Sequence, residues 1–404
     1  MNIRKWLCSL TSKGKWLYKV CDCKRYESAP PIPPEPPVPP PPPAPPWPQA
    51  PDHDGHLIGT TAYSLIKYPI GDIEWFLREL VAAGGNATEA LFVTTWDDTW
   101  RWQPYAIDRW ETQKWADKPW TPKPDYSYPV FNLTRWDERV WVKWEAIFRM
   151  CQKMNVTIIV RVQDYCSRKD NFLERHWAFW SNVQSWRWGG PMSGGYLRWP
   201  IGEGFIWPHY EALNKRLIET LNASGCKYYL EPWNELSVTK GAEYDPAAPD
   251  ELTINVNVHE WFIESFKRHG CNQNSVICNP QQHKRGSPEY LDHVHKLVNL
   301  GVVCEHHGCA SPETMGDYIT WFGAGRKLFP NGDGTDGHAQ GINDGRPNYT
   351  EPSLNQAREM GRIVKDKNLF GYVYKNRSLR GQPSLRSAKF DALMGLAEGL
   401  VGDV

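Results

Sequence analysis

The chain has 404 residues, room for one barrel of about 250 residues or more plus appendages, and its 46 basic side chains balance 46 acidic ones. A formal charge of zero gives no global field to draw it to nucleic acid or to an anionic membrane, so neither is expected as a partner, and binding has to come from shape and local chemistry. The 22 Trp, with 18 Tyr and 13 Phe, supply either flat faces that stack on sugar rings or bulk for a core.

Residues 1–28 form a short basic head, too small for a core of its own, that attaches to another protein or hangs free. Its apolar stretch Trp6-Leu7-Cys8-Ser9-Leu10 is cut off by Lys13 and Lys15. Neither a signal peptide nor a transmembrane helix is recognisable there, which leaves the compartment unknown. From Ala29 to Pro51 the chain is nearly all proline, a stiff polyproline spacer. The expected organisation is a tail (1–28), a Pro-rich linker (29–54) and a catalytic barrel (55–404). The ten Cys include no CxxC pair, so no zinc site and no cofactor is expected.

After the spacer, short apolar runs alternate with amphipathic stretches, the sign of βα units around a parallel sheet. Strands are expected at 56–63, 90–95, 157–162, 227–230, 275–278, 302–305, 326–329 and 370–374. Helices are expected at 73–83, 137–154, 207–222, 255–269, 288–298, 312–322, 353–365 and 387–400. Eight units make a (β/α)8 barrel of the α/β class. Long excursions follow the second and third strands. The first holds Trp96, Trp100, Trp102, Trp110, Trp115 and Trp120, the second runs from Trp177 to Trp207, and both are read as walls of a cleft.

Barrel chemistry gathers at the carboxyl ends of the strands. The residues there are Trp96 and Asp97 after the second strand, then Arg161, Gln163 and Asp164 after the third. The fourth gives Trp233, Asn234 and Glu235, the fifth Asn279, and the sixth Glu305, His306 and His307. Tyr374 and Asn376 follow the eighth. An Asn beside a Glu lets one side chain grip a substrate hydroxyl while its neighbour handles a proton on the leaving oxygen. Here the chain resembles, over residues 55–400, the (β/α)8-barrel glycoside hydrolases of the family 5-like clan of cellulases and mannanases. The resemblance implies that Glu235 is the acid/base and that Asn234 binds the hydroxyl next to the reacting carbon. It also implies that Arg161 orients the nucleophile and that His306 or His307 lines the substrate site. Trp233, Trp96 and Tyr374 complete the expected substrate contacts.

The departure lies on the seventh strand, which in that clan ends in a nucleophilic Glu. This chain reads Asn331-Gly332-Asp333-Gly334-Thr335-Asp336-Gly337. Asp333 is the nearest carboxylate, with Asp336 and Glu305 as alternatives; the segment also reads as a turn or a calcium-binding loop. The resemblance implies a retaining, two-carboxylate glycoside hydrolase acting on a polysaccharide or glycan. Two other readings stand beside it: a catalytically inactive carbohydrate-binding barrel in a surface or virion assembly, and a non-glycosidic barrel hydrolase or lyase using the His306 and His307 region, with or without a metal. Adjacent strand residues point to opposite faces, so Glu305, His306 and His307 are not expected to converge on one metal.

Overall fold

A computed structural model describes residues 46–92, 99–113, 126–164, 201–203, 206–234, 251–279, 287–309, 311–332, 352–376, 379 and 384–402. The chain divides into two compact units, Met1–Pro46 and Trp47–Val404. In the second, β1 (Leu57–Thr61) leads through α1 (Ile70–Ala82) to β2 (Ala87–Leu91), which is followed by an antiparallel hairpin, β3 (Tyr105–Gln113) and β4 (Tyr126–Trp136). Then come α2 (Glu138–Lys153), β5 (Thr157–Asp164), α3 (Trp207–Ser224), β6 (Tyr228–Asn234) and α4 (Glu251–Arg268). The chain goes on through β7 (Ile277–Cys278), α5 (Pro288–Asn299), β8 (Val303–His306), α6 (Pro312–Phe322) and β9 (Leu328–Pro330). It ends with α7 (Leu354–Asp366), β10 (Gly371–Tyr374) and α8 (Asp391–Val401).

Parallel pairing runs β10-β1-β2-β5-β6 and β7-β8-β9. Bridges between Leu230 and Val276 and between Asn331 and Val373 join the two arcs. Eight parallel strands thereby close into a ring with helices outside, which is a (β/α)8 barrel. Several helices start at residues chosen for that job. Ser287 and Ser311 accept from the backbone N–H three residues on and are followed by proline, while Ser353 forms a capping box with Gln356, which satisfies N–H groups that the first turn leaves free.

The strand interior is built in layers. Leu57, Ala87, Ile159, Tyr229, Ile277, Val303, Phe329 and Val373, one from each barrel strand, pack together as an apolar plug. Two residues further along, on the same face, stand Glu89, Arg161, Glu231, Asn279, Glu305 and Asn331, each 0% exposed. Gly59 holds the matching place on β1, where a Cβ would lie 2.0 Å from the Ala87 carbonyl oxygen; only glycine lets β1 and β2 approach so closely. Outward-facing residues such as Val160, Leu230, Cys278, Cys304 and Tyr372 join the larger core under the helices.

Two expected strands are displaced, for one physical reason. β2 lies at Ala87–Leu91 rather than 90–95, and β6 continues past Leu230 to Asn234. Glu89, Glu231 and Pro232 interrupt the apolar runs that mark strands, and the two carboxyl groups are buried because a partner waits inside the barrel. The β3–β4 hairpin falls within the first Trp-rich excursion, where no strand was expected.

The segment before residue 55 also belongs to this unit. Trp47 packs against the core, with the Arg78 guanidinium 4.7 Å and the Lys153 ammonium 5.0 Å from its ring centre. The Ala50 N–H donates to the Met154 carbonyl at 2.8 Å, and the Gln49 amide donates to that of Lys153 at 2.8 Å.

Candidate active site

The polar layer is organised around Arg161. Its Nε lies 2.6 Å from Glu231 Oε2 and also contacts Glu89, while its Nη2 donates to Glu305 Oε1 at 3.0 Å and to His307 Nε2 at 2.9 Å. An imidazole nitrogen that accepts from a guanidinium carries no proton of its own. Asn331 donates to Glu89 at 3.0 Å and also reaches Glu305. The Tyr63 ring lies 5.1 Å from the guanidinium carbon, with its hydroxyl 3.4 Å from Nη1. Three carboxyl groups on three strands thus share one cation, all of them fully buried.

Such crowding sets the protonation. Burial pushes the Glu231 carboxyl well above the ordinary carboxylate range; Glu305 and Glu89 push it further, against the pull of Arg161. Burial acts on Glu305 in the same direction, but Arg161 outweighs it and holds Glu305 below that range. Glu231 and Glu305 present oxygens within 4.8 Å of each other. Their environments push in opposite directions, Glu231 toward the protonated form and Glu305 toward the ionised one. Like charges buried so close resist ionising together, and environments that split two carboxyl groups in this way create an acid and a base. The desolvation cost to Arg161 is outweighed by Glu231 and Glu89, which keep it charged throughout.

Glu231, Glu305 and His307 present ligand atoms within 4.8 Å of one another. Arg161 already occupies the cation position among them, so a metal would have to displace a guanidinium. Asn279 is different in kind. Its amide, 0% exposed, has no hydrogen-bond partner among the described residues, and β7 carries it to the level of Glu305 in the neighbouring strand.

The residues expected from sequence separate into three groups. Arg161 and His307 are in the cluster. His306, Trp233 and Tyr374 instead face the helices. The His306 ring stacks on Phe322 at 4.5 Å, and its Nδ1 pairs with the Tyr290 hydroxyl at 2.9 Å. Trp233 lies edge-on to Tyr210 and Phe262, each 6.1 Å away. The Tyr374 hydroxyl donates to the Lys389 carbonyl at 2.9 Å. Of the expected pair, His307 is therefore the one inside the barrel, as strand alternation requires. Asn234 ends β6; its side chain, together with Glu235, Trp96, Asp333 and Asp336, lies outside the described residues.

Two of the tryptophans read as cleft walls do other work. Trp207 is buried at the start of α3 against Tyr210 and Trp261, and Trp102 packs on the core under the Lys143 ammonium. Trp110 is 49% exposed on β3. Glu89, Glu231 and Asn331 went unrecognised as members of the cluster. The signal that would have found them is acidic or amide residues sharing strand parity with Arg161, each two positions past an apolar inward residue. A cleft of about 480 Å³ lies at the opposite end, lined by Asn86, Thr157, Lys227 and Tyr229 among others, on the face that in barrels serves stability.

No protein-family model matches the sequence, and no curated protein matches it. Solved structures do. A GH5-4 broad specificity endoglucanase from an uncultured bacterium superposes with a TM-score of 0.50 at 12% identity, over 87% of this chain and 95% of its own. This barrel is related in fold to the family 5 endoglucanases. A glycoside hydrolase family 5 enzyme from Prevotella bryantii gives a TM-score of 0.49 at 11% identity, over 88% of this chain and 99% of its own. An endo-1,4-beta-mannanase from Rhizomucor miehei gives 0.47 at 9%, over 79% and 85%. At such identities the likeness is one of fold, and chemistry has to be argued from the site.

Proposed function

We propose that this barrel is an O-glycoside hydrolase that cleaves a β-linked polysaccharide by a two-carboxylate mechanism. The observation that carries the reading is the inward charged layer, with Glu231 held toward the protonated form and Glu305 toward the ionised one, on a strand that ends at Asn234, the residue before Glu235 in the sequence. In this reading Glu235 donates the proton to the leaving oxygen, Asn234 holds the neighbouring hydroxyl, and Asp333 attacks the sugar to form a glycosyl-enzyme that water releases with retention. Asp333 is two residues beyond Asn331, the last inward side chain described on its strand. Arg161 and its partners act from beneath as a fixed array of charge; such preorganised groups need no reorganisation when charge develops at the sugar. The endoglucanase fold relative makes a glucan the first substrate to try.

A second assignment has its own observation. Glu231 and Glu305 are an acid and a base within 4.8 Å, slightly closer than the roughly 5–5.5 Å typical of retaining enzymes. Against it stands their complete burial, each 0% exposed, which shuts a glycosidic oxygen out.

Reducing ends released from β-1,4-glucan, xyloglucan and β-mannan test the reading. Glu235→Gln is expected to lower kcat about 10²–10⁴-fold while binding persists. A slowly turned-over 2-fluoro glycoside should leave its sugar on Asp333. Label on Glu305 would establish the second assignment, and a wild-type chain inert on every glycan would remove the enzyme reading altogether.

A further inference from the structure

A cleft of about 480 Å³ opens at the amino-terminal end of the barrel, away from the strand tips, and its volume falls within the roughly 300–1,000 Å³ of small-molecule sites. Separate parts of the chain line it. Pro51, Asp52 and Gly55 come from the segment before β1, Asn155 and Thr157 from the start of β5, Asn222 and Lys227 from the chain around the turn between α3 and β6, and Asn272 and Ser275 from the turn before β7. Leu57 and Tyr229 also line it, and both belong to the apolar plug. The segment before β1 is pinned in place. The Arg326 guanidinium donates to the carbonyls of Asp54 and Gly55 at 2.7 and 2.9 Å, and His56 Nδ1 lies 2.8 Å from the Leu369 carbonyl oxygen. Walls held in this way need little ordering when a ligand enters.

The lining selects the ligand. Its two charged residues, Lys227 and Asp52, are of opposite sign, so net charge favours neither a cation nor an anion. Two of its asparagines have the carbonyl oxygen already committed: Asn222 Oδ1 accepts from the Tyr228 hydroxyl at 2.9 Å and Asn272 Oδ1 from the Asn274 N–H at 2.9 Å. What those two side chains offer a ligand is therefore chiefly N–H. Thr157, Ser275 and Tyr229 add hydroxyls, and the Leu57 side chain and the Tyr229 ring add apolar surface.

Such a wall suits an uncharged ligand that is rich in acceptors and carries an apolar face. Carbohydrate has all three properties. Ring and bridging oxygens only accept, each hydroxyl accepts as well as donates, and the C–H groups of a pyranose ring form a flat apolar surface. We propose that this cleft is a second carbohydrate-binding site, one that takes a neutral, disaccharide-sized stretch of glycan. Binding here is independent of hydrolysis at the strand tips, because the two sites lie at opposite ends of the barrel and share no residue.

Cellobiose, mannobiose and xylobiose, each titrated into the full-length chain labelled with 15N-asparagine, provide the test. The side-chain NH2 resonances of Asn222 and Asn272, assigned through the two Ala variants, should shift together and saturate with at least one disaccharide. No saturable shift with any of the three overturns the proposal. So does an equal shift with inorganic phosphate, which would make the cleft an anion site. Ser275→Trp, which fills the cleft with an indole, should abolish the shift, and its persistence would place the ligand elsewhere. Asn222→Ala, at an exposed position, should keep the fold and weaken binding about 5-fold through the loss of one hydrogen bond, read on Asn272. Affinity unchanged both in this variant and in Asn272→Ala, read on Asn222, would count equally against the site. A chain inert toward every polysaccharide should still show the shifts, so failure of hydrolysis and failure of this site are told apart.

Discussion

Arg161 is a fully buried cation with three carboxyl neighbours, and the state of each neighbour decides what its loss would do. Glu231 is held protonated by burial and by Glu305, so Glu231→Gln replaces one neutral hydrogen-bonding group with another of the same shape. We expect it to cost no more than about 1 kcal/mol. Glu305 is ionised against Arg161. Glu305→Gln strips a buried cation of a counter-charge, and breaking such a pair from one side costs about 3–5 kcal/mol. Urea titration of the two variants reads the contrast, and equal losses would mean the protonation is assigned wrongly. The pH dependence has a definite sign. Because Glu305 sits below its ordinary range when folded, its contribution is complete above the unfolded value of about 4.3 and fades as pH falls through the folded one. Wild type and Glu305→Gln should therefore converge in stability toward acid.

At the scale of elements, the helix layer shows where small residues matter more than propensity. α7 and α8 pack through Gly361, Gly395 and Gly399. A Cβ on Gly399 would lie 2.0 Å from the Arg358 carbonyl oxygen, and one on Gly395 would lie 2.4 Å from that of Leu354. Alanine is the better helix former by about 1 kcal/mol, yet the obstacle at Gly399 is backbone and cannot rotate away. Overpacking of this kind costs about 1–3 kcal/mol, so Gly399→Ala is expected to melt lower than wild type. Met394→Ala, at a position 47% exposed on the same helix, should stay within about 0.5 kcal/mol. A Gly399→Ala chain as stable as wild type would show that the helices can separate at little cost.

For the molecule as a whole, period and punctuation revealed the architecture but not its electrostatics. All eight βα units were legible because β-branched runs such as Thr157–Asp164 and Ser-Pro helix starts are local signals. Arg161 and His307 were legible as strand-end residues. The rest of the cluster was not, because Glu89 and Glu231 look like interruptions until the ring closes and brings four strands to one guanidinium. His306 and Trp233 misled for the complementary reason: a polar or aromatic residue near a strand end says nothing of which face it takes. The same dependence on distant partners governs where the barrel unit begins. A boundary at residue 55 looks natural where proline gives way to alternating apolar runs, yet Trp47 lies between Arg78 and Lys153, Ala50 is 6% exposed, and both Gln49 and Ala50 hydrogen-bond the end of α2. A chain beginning at Trp47 should melt within about 1 °C of the full-length protein, while one beginning at Gly55, lacking the indole and both bonds, should melt lower by roughly 3 °C or more. Identical melting of the two shortened chains would mean that the segment merely rests on the barrel, because contacts that stabilise a fold must lower its melting temperature when they are removed.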